Sequence, residues 1–380
     1  MRPHVNQRRT RVLELVRARG TVRVTDLARE LGVSPVTLRR DIEAMTARGE
    51  VRRMHGGIGR VEPGRPAAAV TGRTAGLRVG MVVPTVDHSY ADVVRGAREA
   101  IEARGARLTV GLTRYLTGED RIQADRLLST GAHGLLLTPN WETGSPRPGE
   151  GAWTAELPVP AVLVERWAPP GHPAAALDRV ASDHAHGAAG AVRHLAGLGH
   201  RRIALAGRDT PATARLRAGY EAAVAALGLE PAPPWPPAGP VPLTEAGLFA
   251  RSLDYLCGAV TAGGVTAALV HGDTDAIMLI PRLQARGVRV PEDLALIAYG
   301  DQVAGLAGVP LSAVAPPQHE VGRRAADLLL DRLTTTGQET GPETGPETGP
   351  ETGPETRQET CQETGPRQHV GLLPHLTIRS

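Results

Sequence analysis

The sequence predicts an α/β protein in which a small winged helix-turn-helix head precedes a body of two lobes, each a parallel sheet covered by helices. Three observations carry that prediction. A short amphipathic helix opens at Ser34-Pro35 with two arginines on its outer face. From Leu77 onward, short β-rich runs alternate with amphipathic helices. Charge is divided unevenly between the two parts.

The head is built first. Val12, Leu13, Leu15 and Val16 give an opening helix a buried stripe that stops at Gly20. Thr25 is an N-cap candidate for a second helix, which carries Leu27, Ala28 and Leu31 inward until Gly32 closes it. Ser34 caps a third helix and Pro35 suits its first turn. Leu38, Ile42 and Met45 then face the core, leaving Thr37, Arg39 and Arg40 outward. Side chains at the start of such a helix reach base edges and phosphates in a DNA major groove. The run Val51 to Ile58 reads as a hairpin turning at Gly56-Gly57, a wing that sets Arg52, Arg53 and His55 beside flanking phosphates or the minor groove. The DNA-contacting candidates are therefore Ser34, Pro35, Thr37, Arg39, Arg40, Arg52, Arg53 and His55.

Charge agrees with that division. Residues 1–62 hold 14 Arg against 7 acids, a balance of +7; with +3 for the chain, the remainder carries −4. A basic head on a mildly acidic body is the electrostatic footprint of a nucleic-acid module joined to something else. All 43 basic residues are arginine, which reports genome composition more readily than selected chemistry. The two cysteines, Cys257 and Cys361, are too few for a disulfide framework and lack metal-type spacing, so Cys257 is expected to be a small buried residue. Neither an apolar run of membrane-spanning length nor a signal-peptide core is present, and a cytoplasmic protein is expected.

A linker rich in Gly, Pro, Ala and Thr runs from about 59 to 76. It sets the expected domains: a head over 1–62, a linker over 63–76 and a body over 77–380. In the body, strand 78–83, helix 90–104, strand 108–112, helix 119–130 and strand 134–138 make one βαβαβ series. A second follows: helix 185–197, strand 202–206, helices 213–227 and 245–260, strand 267–270, helix 274–286 and strand 294–298. Parallel sheets of this kind bind ligands at the carboxyl ends of their strands.

Two resemblances follow from these residues. Thr37-Leu38-Arg39-Arg40-Asp41-Ile42 and His55-Gly56-Gly57 resemble the DeoR-type winged helix-turn-helix over about residues 6 to 61. The body resembles the effector domain of LacI/GalR-type regulators and the related periplasmic sugar-binding proteins, over about 77 to 335 and the last dozen residues. That likeness is carried by Gly199-His200-Arg201-Arg202-Ile203, Arg217-Ala218-Gly219-Tyr220, the run from Gly287 through Pro291 to Asp293, and Gly322-Arg323-Arg324-Ala325-Ala326. It implies a periplasmic-binding-protein-like body with three crossovers, near 180, 314 and 368. Lobe 1 would hold 77–180 and 315–335, and lobe 2 would hold 181–314 and 368–380. It also implies a small ligand in the interlobe cleft and homodimers.

Position by position, the resemblance places Asp87, Tyr90, Thr138, Asn140, Glu165, Arg217, Asp273 and Asp301 at the effector. Arg217 would grip vicinal hydroxyls or a carboxylate, carboxylates would accept from sugar hydroxyls, and Tyr90 or Trp141 would stack on a ring. The bland readings stand beside these: Tyr90 as core, Asp183 as a helix cap. Ala298-Tyr299-Gly300-Asp301 and Gly272-Asp273 depart from the family's Gly-Tyr-Asp-Asp and Asn-Asp, which removes hydrogen-bonding partners on the second lobe's side.

Seven tetrapeptides ending in Glu-Thr fill 337–364, and with no apolar residue to bury, 337–366 reads as a disordered acidic insertion. The Pro-rich stretch 231–242 with Trp235 reads as a surface loop. His184-Ala185-His186 does not place two imidazoles on one helical face, so a structural or solvent-exposed role outweighs a metal site. Nucleophile-elbow, Walker and zinc-protease motifs do not occur in the chain, and no cofactor is expected. The combined expectation is a transcriptional regulator, a repressor of double-stranded operator DNA controlled by a sugar or sugar derivative. A carbohydrate-modifying enzyme using Asp273 or Asp301 as general base, localised by its head, is the alternative; a nonspecific DNA-associated sensor is a third.

Overall fold

The computed structural model describes residues 74–86, 89–236, 244–336 and 365–379 without interruption, together with 11, 12, 15, 21–23, 27, 28, 30, 38, 42, 51–54 and 57–60 of the head. The chain divides into two compact units, Met1–Thr71 and Gly72–Ser380.

In the first unit, Val12, Leu15, Leu27, Ala28, Leu38 and Ile42 are helical and buried, as their spacing requires. Strands β1 (Thr21–Arg23), β2 (Val51–Met54) and β3 (Gly57–Arg60) form an antiparallel sheet in the order β1-β3-β2. Two features differ from the sequence expectation. Gly57 belongs to β3 and not to a turn, because it is paired with Met54 on one side and Arg23 on the other. A central strand with two partners gains ladder hydrogen bonds by extending one residue further. β1 was not foreseen, since three residues are too few to display a period.

The second unit contains two sheets. Six parallel strands make the first: β4 (Arg78–Val83), β5 (Arg107–Leu112), β6 (Gly134–Leu137), β7 (Ala161–Val164), β8 (Asp178–Ser182) and β13 (His369–Leu372), in the order β13-β8-β7-β6-β4-β5. β6 and β7 are apolar and buried throughout, as strands covered on both faces must be. Helices α1 (Ser89–Ala103) and α7 (Gln318–Thr336) pack on one face over Met81, Val83, Ile101, Val162, Val321 and Leu329. Helix α2 (Glu119–Ser129) covers the other, over Val82, Leu127, Leu135, Leu137 and Leu163.

The second sheet runs β14-β12-β11-β10-β9, from β9 (Ile203–Gly207), β10 (Ala267–His271), β11 (Ala295–Tyr299), β12 (Ser312–Ala315) and β14 (His375–Thr377). Four of these strands are parallel and β14 is antiparallel, so the lobe is mixed at one edge. Helices α3 (His184–Gly197) and α4 (Thr213–Ala226) cover one face. The other is covered by α5 (Glu245–Thr261) and α6 (Asp273–Ala285).

The chain changes lobes three times: at Asp183 between β8 and α3, at Pro316-Pro317 between β12 and α7, and at Leu373-Pro374 between β13 and β14. The Asp183 amide donates to the Leu372 carbonyl at 2.7 Å, so the first and third crossings lie side by side. Residues 369–372 therefore belong to the first sheet, whereas the sequence reading assigned them to the second lobe with all of 368–380. β7, β8 and the three last strands were missed as elements; each spans only three to five residues. The Pro-rich loop is anchored: Trp235 packs on Tyr255 at 4.9 Å, and the Tyr255 hydroxyl donates to the Pro233 carbonyl. Cys257 is half-buried against the same core. The linker over 63–73 and the tetrapeptide repeats lie outside the described residues.

Candidate functional site

The carboxyl ends of both sheets open onto one cavity of about 580 Å³ between the lobes. In the first lobe, β5 and β6 flank β4 on opposite sides, so the chain reverses its direction of winding there, the topology that leaves a crevice above the strand ends. From this lobe Tyr90 and Asp92 at the start of α1, Tyr115 beyond β5, and Glu165, Arg166 and Trp167 beyond β7 line the cavity. The facing wall is formed by Arg208 and Thr210 after β9, His271, Asp273 and Asp275 around the start of α6, and Tyr299 and Asp301 after β11. His184 and Gln318 enter from the crossovers.

Backbone strain marks the first wall. Arg114, Tyr115 and Glu165 hold φ of 52°, 60° and 53°, and two of these three line the cavity. Left-handed conformations of such residues cost on the order of 1–3 kcal/mol each and persist only where surroundings enforce them. Glu165 is enforced by its carboxylate, which accepts from the Ser182 amide and hydroxyl at 3.2 and 2.7 Å and lies 3.4 Å from His184 Nε2. Burial by itself would raise its pKa; the bond and charge of His184 and the two Ser182 donors outweigh burial and leave it lowered.

A chain of rings continues across the site. His184 Nδ1 is hydrogen-bonded to the Tyr299 hydroxyl at 2.8 Å, and Trp167 sets its edge on His184 at 5.7 Å. The Arg215 guanidinium of α4 lies 4.3 Å from the Trp167 ring centroid, a cation–π contact that joins the two lobes. Burial raises the Tyr299 phenol well above its ordinary range, with Glu165 and Asp183 adding to it, so the phenol stays protonated. His271, edge-on to Tyr299 at 5.8 Å, is driven by burial down to about 4 and is uncharged at neutral pH.

The second wall's carboxylates are each committed. Arg208 grips Asp275 bidentately at 2.7 and 3.0 Å and reaches Glu245 at 3.2 Å. Gly207, at φ 127°, makes this possible: a Cβ there would stand 2.4 Å from the His271 carbonyl oxygen, so only glycine lets the end of β9 pass so close to β10. Asp273 accepts from the amides of Thr274, Gln302 and Val303 at 2.9, 2.7 and 2.7 Å. Asp301 is paired with Arg379 at 2.6 Å.

Of the residues expected at the effector, Tyr90, Glu165, Asp273 and Asp301 line the cavity. Thr138, Asn140 and Arg217 do not. Thr138 is fully buried beyond β6, and the Asn140 amide donates to Asp120 Oδ2 at 2.8 Å behind the wall. Arg217 follows Leu216, which fills the lobe's core, and one residue along a helix is a turn of about 100°. Asp87 lies outside the described residues, as do Ser34, Pro35, Thr37, Arg39, Arg40 and His55. Arg52 and Arg53 lie in β2, opposite Gly59 and Ile58. Trp141 is core, packed on His172 at 6.1 Å, and Trp167 takes the place in the cleft that was expected of it. Asp183 caps α3 by accepting from the His186 amide at 2.9 Å. His186 is exposed, whereas His184 is buried in the site. Sequence reasoning missed Arg166, Trp167, Arg208, His271, Asp275 and Tyr299, although the signal was available: each is at or within four residues of the end of a strand. Among the described residues no group of three or more His, Cys, Asp or Glu side chains is arranged to hold a metal ion, and no helix is long and apolar enough to cross a membrane.

Comparison with known proteins gives concordant results for both units. The family model described as a DeoR-like helix-turn-helix domain matches residues 8–63, and that of a periplasmic binding protein-like domain matches 192–354. The HTH-type transcriptional regulator CelR of Thermobifida fusca is 31% identical over 259 residues, 64% of this chain and 69% of that protein. The HTH-type transcriptional repressor CytR of Escherichia coli (strain K12) is 26% identical over 258 residues, 67% of this chain and 72% of the relative. A solved complex of the regulator CelR with cellobiose has the same fold, with a TM-score of 0.57 at 24% identity over 91% of each chain.

Proposed function

Because the chain belongs to the family of LacI-type HTH transcriptional regulators, in which it joins a DeoR-like head to a periplasmic binding protein-like body, we propose that it is a repressor whose operator affinity is set by a sugar-like effector in the interlobe cleft. The observation that carries this reading is the cavity itself. It sits between two lobes at the strand ends and offers aromatic faces beside fixed hydrogen-bonding groups, the composition of a carbohydrate site. CelR, a relative of this chain, is a regulator solved with cellobiose. We assign effector contact to Tyr90, Glu165, Asp273 and Asp301, and add Trp167 and Arg208. DNA contact is assigned to Ser34, Pro35, Thr37, Arg39, Arg40, Arg52, Arg53 and His55. The acting form is a homodimer, which two half-sites of an inverted repeat would require.

The enzyme alternative asks Asp273 or Asp301 to act as a general base. Both carboxylates already accept hydrogen bonds, Asp273 from three amides and Asp301 from Arg379, which fixes them in place as acceptors and supports binding without turnover. Capture of sheared genomic DNA by the full-length protein, with and without sugars, followed by sequencing, tests the proposal. A few inverted repeats, recovered to different extents with and without a sugar, are expected. Uniform recovery under all conditions would reject operator recognition, and conversion of a bound sugar would return the enzyme reading.

A further inference from the structure

We propose that Arg78 and Arg107, side by side at the amino ends of β4 and β5, form an anion site that takes a phosphate group, and that the backbone of bound DNA supplies it. The site lies at the opposite end of the first sheet from the effector cleft. Its DNA source rests on the reading of the head as a DNA-binding module; the anion chemistry does not.

A second cavity, of about 300 Å³, opens where β4 and β5 begin. Arg78 and Arg107 are register partners in the parallel ladder, so both project from the same face of the sheet into it. Like charges set opposite one another on neighbouring strands repel, and among the described lining residues none is acidic. Arg78 Nη1 donates to the Thr130 carbonyl at 2.8 Å, at the carboxyl end of α2. The Arg107 guanidinium has no partner among the described residues, and neither has the hydroxyl of Thr109, which stands two residues further along the same face. Nearby arginines are committed differently: Arg104 pairs with Asp331, and Arg121 with Asp125 and Glu156. β5 is the last strand of its sheet, so no further strand closes the pocket on that side.

Two exposed guanidiniums and a hydroxyl make a donor array that a phosphate group answers, since each guanidinium can meet two of its oxygens and one dianion offsets both charges. Connectivity favours DNA as the source. The chain beyond residue 62 carries −4 and as a whole repels DNA, yet this cationic pocket stands where the chain arrives from the head. Thr74 Oγ1 donates to the Arg104 carbonyl at 2.5 Å and the Gly76 amide to the Gly105 carbonyl at 3.3 Å, which ties the arriving segment to the turn just before β5. Residues 61–73 reach at most about 45 Å when fully extended, so the pocket stays in the neighbourhood of any DNA that the head holds. A phosphate contact of this kind adds affinity and fixes orientation without reading sequence.

Fluorescence anisotropy of the full-length protein with a labelled mixed-sequence duplex of about 30 base pairs, over about 50 to 200 mM NaCl, tests this. Arg107→Gln should bind about 3- to 10-fold more weakly at the lowest salt and flatten the slope of log affinity against log salt by about 1, and Arg107→Lys should recover most of both. Arg121→Gln removes the same charge at the far end of α2 and should change neither. Equal loss in Arg121→Gln, or no loss in a folded Arg107→Gln, overturns the DNA source. A second arm follows thermal unfolding with inorganic phosphate or ribose 5-phosphate, against NaCl of equal ionic strength. A Tm rise that Arg107→Gln abolishes, with DNA binding unchanged, supports the anion site and assigns it to a soluble phosphate. Absence of an effect in both arms overturns the site itself. If wild type binds no duplex at any salt, the reading of the head fails, and the phosphate arm alone decides the site.

Discussion

His271 lies half-buried in the cleft wall, and burial lowers its pKa to about 4 against an ordinary 6.5. The unfolded chain therefore takes up this proton first as pH falls. Its contribution is intact above about pH 6.5 and is lost progressively toward pH 4, a difference of roughly 3 kcal/mol. Glu165, also lowered, adds to the loss in more acidic solution. Urea unfolding at pH 7 and 4.5 should show this decline, and His271→Gln should flatten it. Trp167 offers a second expectation: Trp167→Ala removes the ring that meets both His184 and Arg215, and should weaken sugar binding by about 1–2 kcal/mol in calorimetry while DNA affinity without sugar is retained. Arg208→Ala should weaken sugar binding more than Arg217→Ala, since only Arg208 lines the cavity.

Helices α1 and α7 cross with almost no space between their backbones. A Cβ on Gly96 would stand 1.9 Å from the His319 carbonyl oxygen, and one on Gly322 1.9 Å from that of Val93. Gly322→Ala must push the helices apart and should cost at least about 1–3 kcal/mol, read as a lowered Tm. Gly258 in α5 has open space where its Cβ would be, so Gly258→Ala should raise stability by about 0.5–1 kcal/mol. The end of α7 shows why an insertion is tolerated there. Arg332 holds Asp178 bidentately at 2.8 and 2.9 Å, and also donates to the carbonyls of Gly365 and Pro366 at 3.1 and 2.5 Å, where the chain returns. Both ends of the repeat are thus tied to one buried ion pair. Deleting residues 341–360 should raise stability by no more than about 1 kcal/mol, whereas Asp178→Ala, which strands the arginine, should cost about 3–5 kcal/mol in denaturant titration.

For the molecule as a whole, a +7 head on a −4 body separates two kinds of binding by their response to salt. DNA affinity should fall steeply with ionic strength and sugar affinity should hardly change. Arg39→Ala and Arg40→Ala should each weaken operator binding by about 1–3 kcal/mol in fluorescence titration and leave the sugar isotherm as it was. Within the body, the lobes meet through Arg215 on Trp167 and His184 beside Glu165, contacts whose energy depends on the closure of the cleft. An effector that stabilises one degree of closure has the differential affinity needed to change operator binding, typically by about 5- to 150-fold.

What the sequence by itself determined is everything periodic or local. Alternating β and α runs set a two-lobed α/β body, apolar spacing set the buried helical positions described in the head, and the Arg-rich segment set its charge. Six short strands, β1, β7, β8, β12, β13 and β14, escaped, since three to five positions hardly display a period. The ligand wall was decided only by the tertiary structure, because residues far apart converge there: Glu165 meets His184, and Arg208 meets Asp275 across 67 positions. Glu165, Asp273 and Tyr90 could be named in advance from resemblance, but the choice between Trp141 and Trp167 could not. Both follow strands, and only the packed lobe decides which ring enters the core and which faces the cleft. Arg217 shows the same limit at the resolution of one residue: Leu216 fills the core, and Arg217, half-buried and turned about 100° from it along the helix, does not line the cavity.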